Sequence, residues 1–199
     1  MKDKEILEAI FVLGLLHGRT DETMLKKEVG LSREEMRRRL RGLRDRGYIE
    51  FRGSRVFLKP KGRRTFKVVF TGGTFEVIHP GHIYTIQQAK RLGDILVAVV
   101  ARDATVRRRK GRDPIVSEEE RRKVLAAVRY VDAALLGSEA NIYDTLERVR
   151  PDIVALGYDQ YHPEEEIARE AGRRGIKLSV VRLRSPNPTL KTSKILAQL

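Results

Sequence analysis

Two histidines three residues apart, His79 and His82, stand in the run Thr71-Gly72-Gly73-Thr74-Phe75-Glu76-Val77-Ile78-His79-Pro80-Gly81-His82. The run follows Phe66-Lys67-Val68-Val69-Phe70, which reads as a strand. Two glycines directly after a strand let the backbone approach a phosphate closely, and Thr74 can add a hydroxyl donor. Pro80 suits the first turn of a helix, so the two histidines share one face at a helix N-terminus. That end carries free N–H groups and partial positive charge, a ready anion site. Two imidazoles there can donate hydrogen bonds to a phosphate whose charge is rearranging, and such donors matter most when aimed at the transition state. Metal binding by the pair is a rival reading, with no third ligand nearby in sequence; a plain capped helix with two surface histidines is another. The P-loop pattern and Gly-x-Gly-x-x-Gly are both missing from the sequence, which argues against P-loop hydrolases and typical nicotinamide enzymes.

The elements around this run alternate between strand and helix. A helix is expected from about Gly81 to Leu92, and Ile95–Ala101 is a continuous apolar run, the mark of a strand buried on both faces. Ser117 with Glu120 caps a helix through Ala127. Ala133–Leu136 is a third strand, Ile142–Val149 a helix, Asp152–Leu156 a fourth strand, Glu164–Arg174 a helix and Lys177–Leu183 a fifth strand. Ser193 can cap a last helix to Leu199. The alternation predicts an α/β domain over 66–199, a five-stranded parallel sheet covered by helices on both faces. Ligands of such sheets sit at the C-terminal strand ends, near the point where strand order reverses.

With its strand and glycines, the motif Gly73-Thr74-Phe75-Glu76 followed by His79-Pro80-Gly81-His82 resembles the cytidylyltransferase-like nucleotidyltransferase superfamily. The rest of the domain keeps the same motif order. Ala101-Arg102-Asp103-Ala104-Thr105-Val106 follows the second strand, then Lys110-Gly111-Arg112, Pro114-Ile115 and Glu119-Glu120-Arg121-Arg122. Arg129-Tyr130-Val131-Asp132, Gly157-Tyr158-Asp159-Gln160 and Lys191-Thr192-Ser193-Lys194-Ile195 close the set. The likeness is strongest to archaeal FAD synthetases, with glycerol-phosphate cytidylyltransferases next. Two departures stand out: Glu76 replaces the usual Asp, and the Cys residues found near the C-terminus of some archaeal FAD synthetases are missing.

The resemblance implies a Rossmann-like fold and nucleotidyl transfer, in which an acceptor phosphate attacks the α-phosphorus of a nucleoside triphosphate and pyrophosphate leaves. It implies ATP or CTP as donor and FMN or a polyol phosphate as acceptor. By likeness, His79 and His82 hold the triphosphate and stabilise the transition state, within a loop of Thr71, Gly72, Gly73, Thr74 and Phe75. Lys110, in a mobile basic loop after the second strand, would neutralise phosphates, and Arg121 would lie near them. Asp103 could hydrogen-bond the ribose, while Gly157, Tyr158 and Asp159 would line the base pocket. Thr192 and Ser193 offer a further phosphate site at a helix N-terminus. Mg²⁺ would be held mainly by the phosphates, with no dedicated protein metal site. A homodimer is suggested only by likeness.

The 199 residues include 41 basic and 27 acidic side chains, a formal charge of +14, and no cysteine. Zero Cys removes disulfides, Cys-based zinc sites, iron–sulfur clusters and thiol nucleophiles together. The charge points to an anionic partner. No apolar stretch approaches the ~20 residues of a membrane span, and no secretory pattern opens the chain; a soluble cytoplasmic protein is expected.

The first 64 residues hold 18 Lys and Arg against 10 Asp and Glu. Ile6, Leu7, Ile10, Leu13 and Leu16 recur at helical spacing, Thr20 or Asp21 caps a second helix ending at Gly30, and Ser32 with Glu35 forms a capping box. The third helix carries Arg33, Arg37, Arg38, Arg41 and Arg44 outward and ends at Gly47. Tyr48–Phe51 and Val56–Leu58 then read as a hairpin. This order resembles a winged helix-turn-helix domain over 1–62, with Lys59-Pro60-Lys61-Gly62-Arg63-Arg64 as the linker. It implies DNA as a possible partner, against a purely structural or dimer-forming role. A DNA-binding, nucleotide-sensing regulator is therefore the alternative to an enzyme.

Overall fold

The helical spacing of the N-terminal region becomes α1 (Lys2–His17), α2 (Glu22–Val29) and α3 (Arg33–Asp45) in the computed structural model, which describes residues 2–185 together with Thr192 and Ile195. Asp21 is the cap of α2, its carboxylate accepting from the Met24 N–H at 2.9 Å, while the Thr20 hydroxyl donates to the Ile10 carbonyl. Ser32 caps α3 by accepting from the Glu35 N–H at 3.1 Å. The return half of the expected capping box is replaced: Glu35 turns its carboxylate to Arg38 and Arg39. An antiparallel hairpin follows, β1 (Ile49–Arg52) against β2 (Arg55–Leu58).

The expected linker is not one. Residues 60–63 form a helical turn, α4 (Pro60–Arg63), that belongs to the first unit. Gly62 is buried there, and a Cβ on it would stand 2.3 Å from the Tyr48 carbonyl oxygen, so only glycine lets the turn close onto the hairpin. Phe66 is likewise buried in this unit, edge-on to Phe11 at 5.6 Å. The chain divides into Met1–Phe66 and Lys67–Leu199, a little past the boundary expected from composition. Much of the outer basic face of α3 is paired within the unit: Arg37 with Glu22, Arg38 with Glu35 and Arg44 with Asp45.

The second unit runs β3 (Val68–Gly73), α5 (Pro80–Lys90), β4 (Ile95–Val100), α6 (Asp103–Lys110), α7 (Glu118–Ala126), β5 (Ala133–Leu136), α8 (Ile142–Val149), β6 (Ile153–Leu156), α9 (Glu164–Arg173) and β7 (Ser179–Arg182). Its five strands are all parallel, in the order β5-β4-β3-β6-β7. All six residues of β4 are buried, as its unbroken apolar run requires. Val69, Leu96, Ala98 and Ala155 of the sheet pack with Ile86 of α5 and Leu125 of α7 to form the core.

Three aspartates close the N-terminal end of the sheet. Asp94 accepts from the Lys67 N–H, Asp152 from the Val68 N–H and Asp132 from the Leu96 N–H, at 2.6–2.7 Å. Each satisfies a strand-end donor that has no ladder partner. The Arg129–Asp132 motif is therefore structural at Asp132, which also pairs with Lys90. Among the described residues no helix is long and apolar enough to cross a membrane. The last helix expected from Ser193 lies outside the described residues.

Strand order places the site. The chain steps outward from β3 to β4 and β5, then returns to the other side of β3 as β6. The order reverses between β3 and β6, and the loops leaving their C-terminal ends flank the crevice where doubly wound sheets bind ligands. Those loops are 74–79 and 157–163, the two richest in the motifs described above.

Candidate active site

His79 occupies the N-cap position of α5, in extended backbone, with Pro80 as the first helical residue and no cap bond from its own side chain. His82 lies one turn on, its ring 4.0 Å from that of His79, centroid to centroid. Phe75 backs the pair. Its ring is buried, 5.5 Å from His82, and a Cβ on Gly73 would touch it at 3.0 Å. Phe75 itself adopts φ +50°, a left-handed conformation that costs a non-glycine residue about 1–2 kcal/mol. The ring packing under His82 holds this turn, and strain of this kind concentrates at functional loops.

Burial sets the charge of the pair. His82 is pushed down to about 4, chiefly by desolvation and then by its neighbour His79. His79 is also lowered by burial, while the Asp159 carboxylate across the crevice pulls it partly back. Both rings are therefore neutral at pH 7. Each has its Nδ1 buried without a hydrogen-bond partner among the described residues, an unfavourable state for a polar atom. Neutral imidazoles at a helix N-terminus can donate to a phosphate without bringing a fixed charge.

Glu76 is buried and ionised. Arg112 holds it with two bonds of 2.7 Å, the Ile115 N–H donates at 2.8 Å, and the Lys110 ammonium stands 3.5 Å away. The Arg112 bonds carry its carboxyl down to about 2 despite burial. Glu76, noted in the sequence only as a departure from the usual Asp, is the anchor of the segment after α6. Lys110 is not on a loop, as expected, but in the last turn of α6, which Gly111 ends with φ +66°. Its exposed ammonium still faces the crevice side of the histidine loop, through Glu76.

Arg121 departs most from its expected place. It is fully buried, with its donors committed to the protein: Nε to the Val116 carbonyl at 3.0 Å, Nη1 to the Thr74 carbonyl, and Nη2 to the Ala101 carbonyl at 2.9 Å and to Asp103 at 2.6 Å. It joins the histidine loop, the end of β4 and the start of α7, with no side-chain exposure to the crevice. Asp103 is corrected with it. One oxygen takes Arg121 and the other accepts from the Glu118 N–H, while Glu118 accepts from the Asp103 N–H at 2.6 Å. The two carboxylates cap each other's helices, and Asp103 is engaged there rather than at a ribose. Thr71 is a sheet staple: its buried hydroxyl donates to the Ala155 carbonyl across β3 and β6 at 3.0 Å.

Across the crevice, Gly157 is buried, Tyr158 half-buried and Asp159 exposed, as loop residues beyond β6. Gly72, Gly73 and Thr74 are half-buried on the β3 side. The Thr192 hydroxyl lies 3.5 Å from the Val77 carbonyl, which brings that motif against the histidine loop; Ser193 lies outside the described residues. Sequence reasoning missed Arg182, at the end of β7, which donates to four acceptors of the 157–164 loop. Nothing local singled it out, since the expected strand also carries Lys177 and Ser179. Among the described residues no group of three or more His, Asp and Glu could hold a metal ion.

A FAD synthase of Ferroglobus placidus is 49% identical over 119 residues, covering 60% of this chain and 76% of that protein. A FAD synthase of Pyrococcus horikoshii is 42% identical over 134 residues, covering 66% of this chain and 90% of that protein. Among solved structures, a lipopolysaccharide core biosynthesis protein from Thermoplasma volcanium superposes with a TM-score of 0.58 at 39% identity, covering 60% of this chain and 98% of that one. The family model described as cytidylyltransferase-like matches residues 70–197. That match begins within β3, takes in both histidines and runs past β7, and on it the chain belongs to the cytidylyltransferase-like family.

Proposed function

We propose that the protein is an FMN adenylyltransferase, transferring AMP from ATP to FMN to give FAD and pyrophosphate. The observation that carries this reading is the neutral His79–His82 pair at the N-terminus of α5, set at the strand-order reversal of a chain 40–49% identical to archaeal FAD synthases. A phosphate oxygen of FMN attacks the α-phosphorus of ATP; the new P–O bond forms as the bond to the pyrophosphate oxygen breaks. Little covalent chemistry falls to the protein, so its work is positioning and charge stabilisation. His79 and His82 donate to phosphoryl oxygens as charge moves toward the leaving group. Lys110 supplies positive charge to the phosphates from the end of α6, exchanging its contact with Glu76 for them. Tyr158 and Asp159 face the nucleoside from the opposite loop.

Glu76 is committed to Arg112 and Lys110, and Asp159 is the carboxylate whose charge acts on both histidines. A divalent cation, which we assign as Mg²⁺, would be held mainly by triphosphate oxygens with the exposed Asp159 carboxylate beside them, and would screen their charge.

Pyrophosphate release is measured from ATP and from CTP, each with FMN and with glycerol phosphate. Release from ATP with FMN, with FAD formed, is the expected result. Release only from CTP with the polyol phosphate overturns the adenylyl reading, and silence in all four arms overturns nucleotidyl transfer to these acceptors.

For the first unit we infer DNA as the partner, supported by three helices followed by an antiparallel hairpin and by the exposed arginines of α3. The ion pairs on that face are solvent-exposed, and such pairs hold by only ~0–1 kcal/mol, so phosphates can displace the carboxylates. A salt-dependent gel shift, lost on deleting the first unit, residues 1–66, is expected; an unchanged shift after deletion refutes it.

A further inference from the structure

The nucleoside side of the crevice is formed by a loop with no helix or strand of its own, 157–163. Its shape is held from outside. Arg182, on the edge strand β7, spreads its guanidinium under the loop: Nη1 donates to the carbonyls of Gly157 at 3.2 Å and Gln160 at 2.9 Å, Nη2 to that of His162 at 2.9 Å, and Nε to the Glu164 carboxylate at 2.8 Å. A planar fork can meet several acceptors at once in fixed geometry, which a lysine cannot. Gln160, so held by its carbonyl, lays its side-chain amide across the crevice onto the Gly72 carbonyl at the end of β3. At the far end His162 meets Arg109 of α6 at 3.5 Å. The loop is thus tied to β7, to β3 and to α6, with Tyr158 and Asp159 carried between the ties.

We propose that Arg182 and Gln160 are positioning residues for the nucleoside: they hold Tyr158 and Asp159 at a fixed height over the β3 end, so that a nucleoside enters a formed pocket rather than ordering the loop itself. The inference rests on the nucleotidyltransferase reading only in assuming that a nucleotide occupies the crevice. It adds a split between the two halves of the ligand. The phosphates are met by α5 and the histidine loop, which neither residue touches except through the Gly72 carbonyl. Loosening 157–163 should therefore weaken binding of the nucleoside and spare binding of bare phosphates.

Calorimetric titration of the full chain with ATP and with inorganic tripolyphosphate, both without divalent cation so that Asp159 has no metal to share with the phosphates, tests this without using turnover. Arg182→Met keeps the side-chain length and removes the fork. Three backbone acceptors lose their donor. Because part of the loop's order survives, the Kd for ATP is expected to rise at least about tenfold, with the tripolyphosphate Kd within about twofold. Gln160→Leu, which leaves every Arg182 bond to the backbone in place, is expected to shift in the same direction and by less. It also serves as the decisive variant if Arg182→Met fails to fold. Amide exchange at 157–163 should speed up in both. Equal weakening of ATP and tripolyphosphate, or no change in either, overturns the proposal. Should the wild type bind ATP but release no pyrophosphate with any acceptor, the enzymatic reading fails while the split in Kd still decides this one; a wild type that binds neither ligand overturns both.

Discussion

Replacing Arg121 with Met removes a buried charge while nearly preserving side-chain volume, and the structure sets the cost. Four donated hydrogen bonds are lost, to Val116, Thr74, Ala101 and Asp103. The Asp103 carboxylate is partly exposed and can rehydrate, but the carbonyl acceptors lie around a side chain with no solvent exposure. Leaving a buried acceptor unsatisfied costs roughly 1–3 kcal/mol, and removing one member of a buried ion pair roughly 3–5 kcal/mol. The three carbonyls together cost roughly 3–9 kcal/mol, and the ion-pair figure counts only toward its low end because Asp103 can rehydrate, so about 4 kcal/mol is expected. For a unit of this size each kcal/mol lowers the melting temperature by roughly 3–4 °C, so a fall of about 12–16 °C is expected by calorimetry on the full chain. Arg121→Lys should lose about half as much, since one ammonium cannot reach acceptors on three segments. Activity measured well below the melting point should fall through kcat, because the Thr74 carbonyl is part of the histidine loop. A variant that melts within about 3 °C of wild type with unchanged kcat refutes the clamp, and Arg121 would then be returned to the phosphates.

His82→Ala removes one of the two imidazoles we propose as donors to the reacting phosphoryl group and should lower kcat about 10²–10³-fold at saturating ATP and FMN; turnover within threefold of wild type contradicts the assignment. The same residue governs acid stability. Its folded value of about 4 lies below the ordinary histidine value of 6.5, so the unfolded chain binds the proton first, and stability falls as pH drops from 6.5 toward 4. Between pH 7 and 4.5 this amounts to about 2.5 kcal/mol at 1.36 kcal/mol per unit. Glu76 acts lower: its contribution is intact above 4.5 and is lost as pH falls toward 2. Urea unfolding at pH 7 and pH 4.5 should therefore show a larger loss for wild type than for His82→Ala, by about that amount, and equal losses refute the burial argument.

The strand–helix alternation was legible because each element carries its own period. The apolar run of β4, the caps at Ser32 and Ser117, and the glycine ending α2 all act within a few residues. So did the heart of the site: a strand, two glycines and a proline-led helix start bring His79 and His82 together by local geometry alone. Boundaries were less legible where a residue's partner lay in another element. Phe66 reads as the start of a strand by its neighbours, yet its ring belongs with Phe11. Lys59–Arg64 reads as a linker by composition, yet Gly62 lets it close onto Tyr48.

Charged and hydroxyl side chains divide along the same line. The sequence names Thr71, Asp103 and Arg121 as groups able to meet a nucleotide and Glu76 only as a departure from the usual Asp, and nothing local says otherwise. Packing brought each a partner far along the chain: Ala155 for Thr71, Glu118 and Arg121 for Asp103, Thr74 for Arg121, and Arg112 for Glu76. The reason is physical. A helix start or a buried strand follows from the backbone and apolar period of its own segment. A guanidinium or carboxylate can satisfy itself with a ligand, with water or with any acceptor in reach, and only the folded chain decides which of these stands within three ångströms.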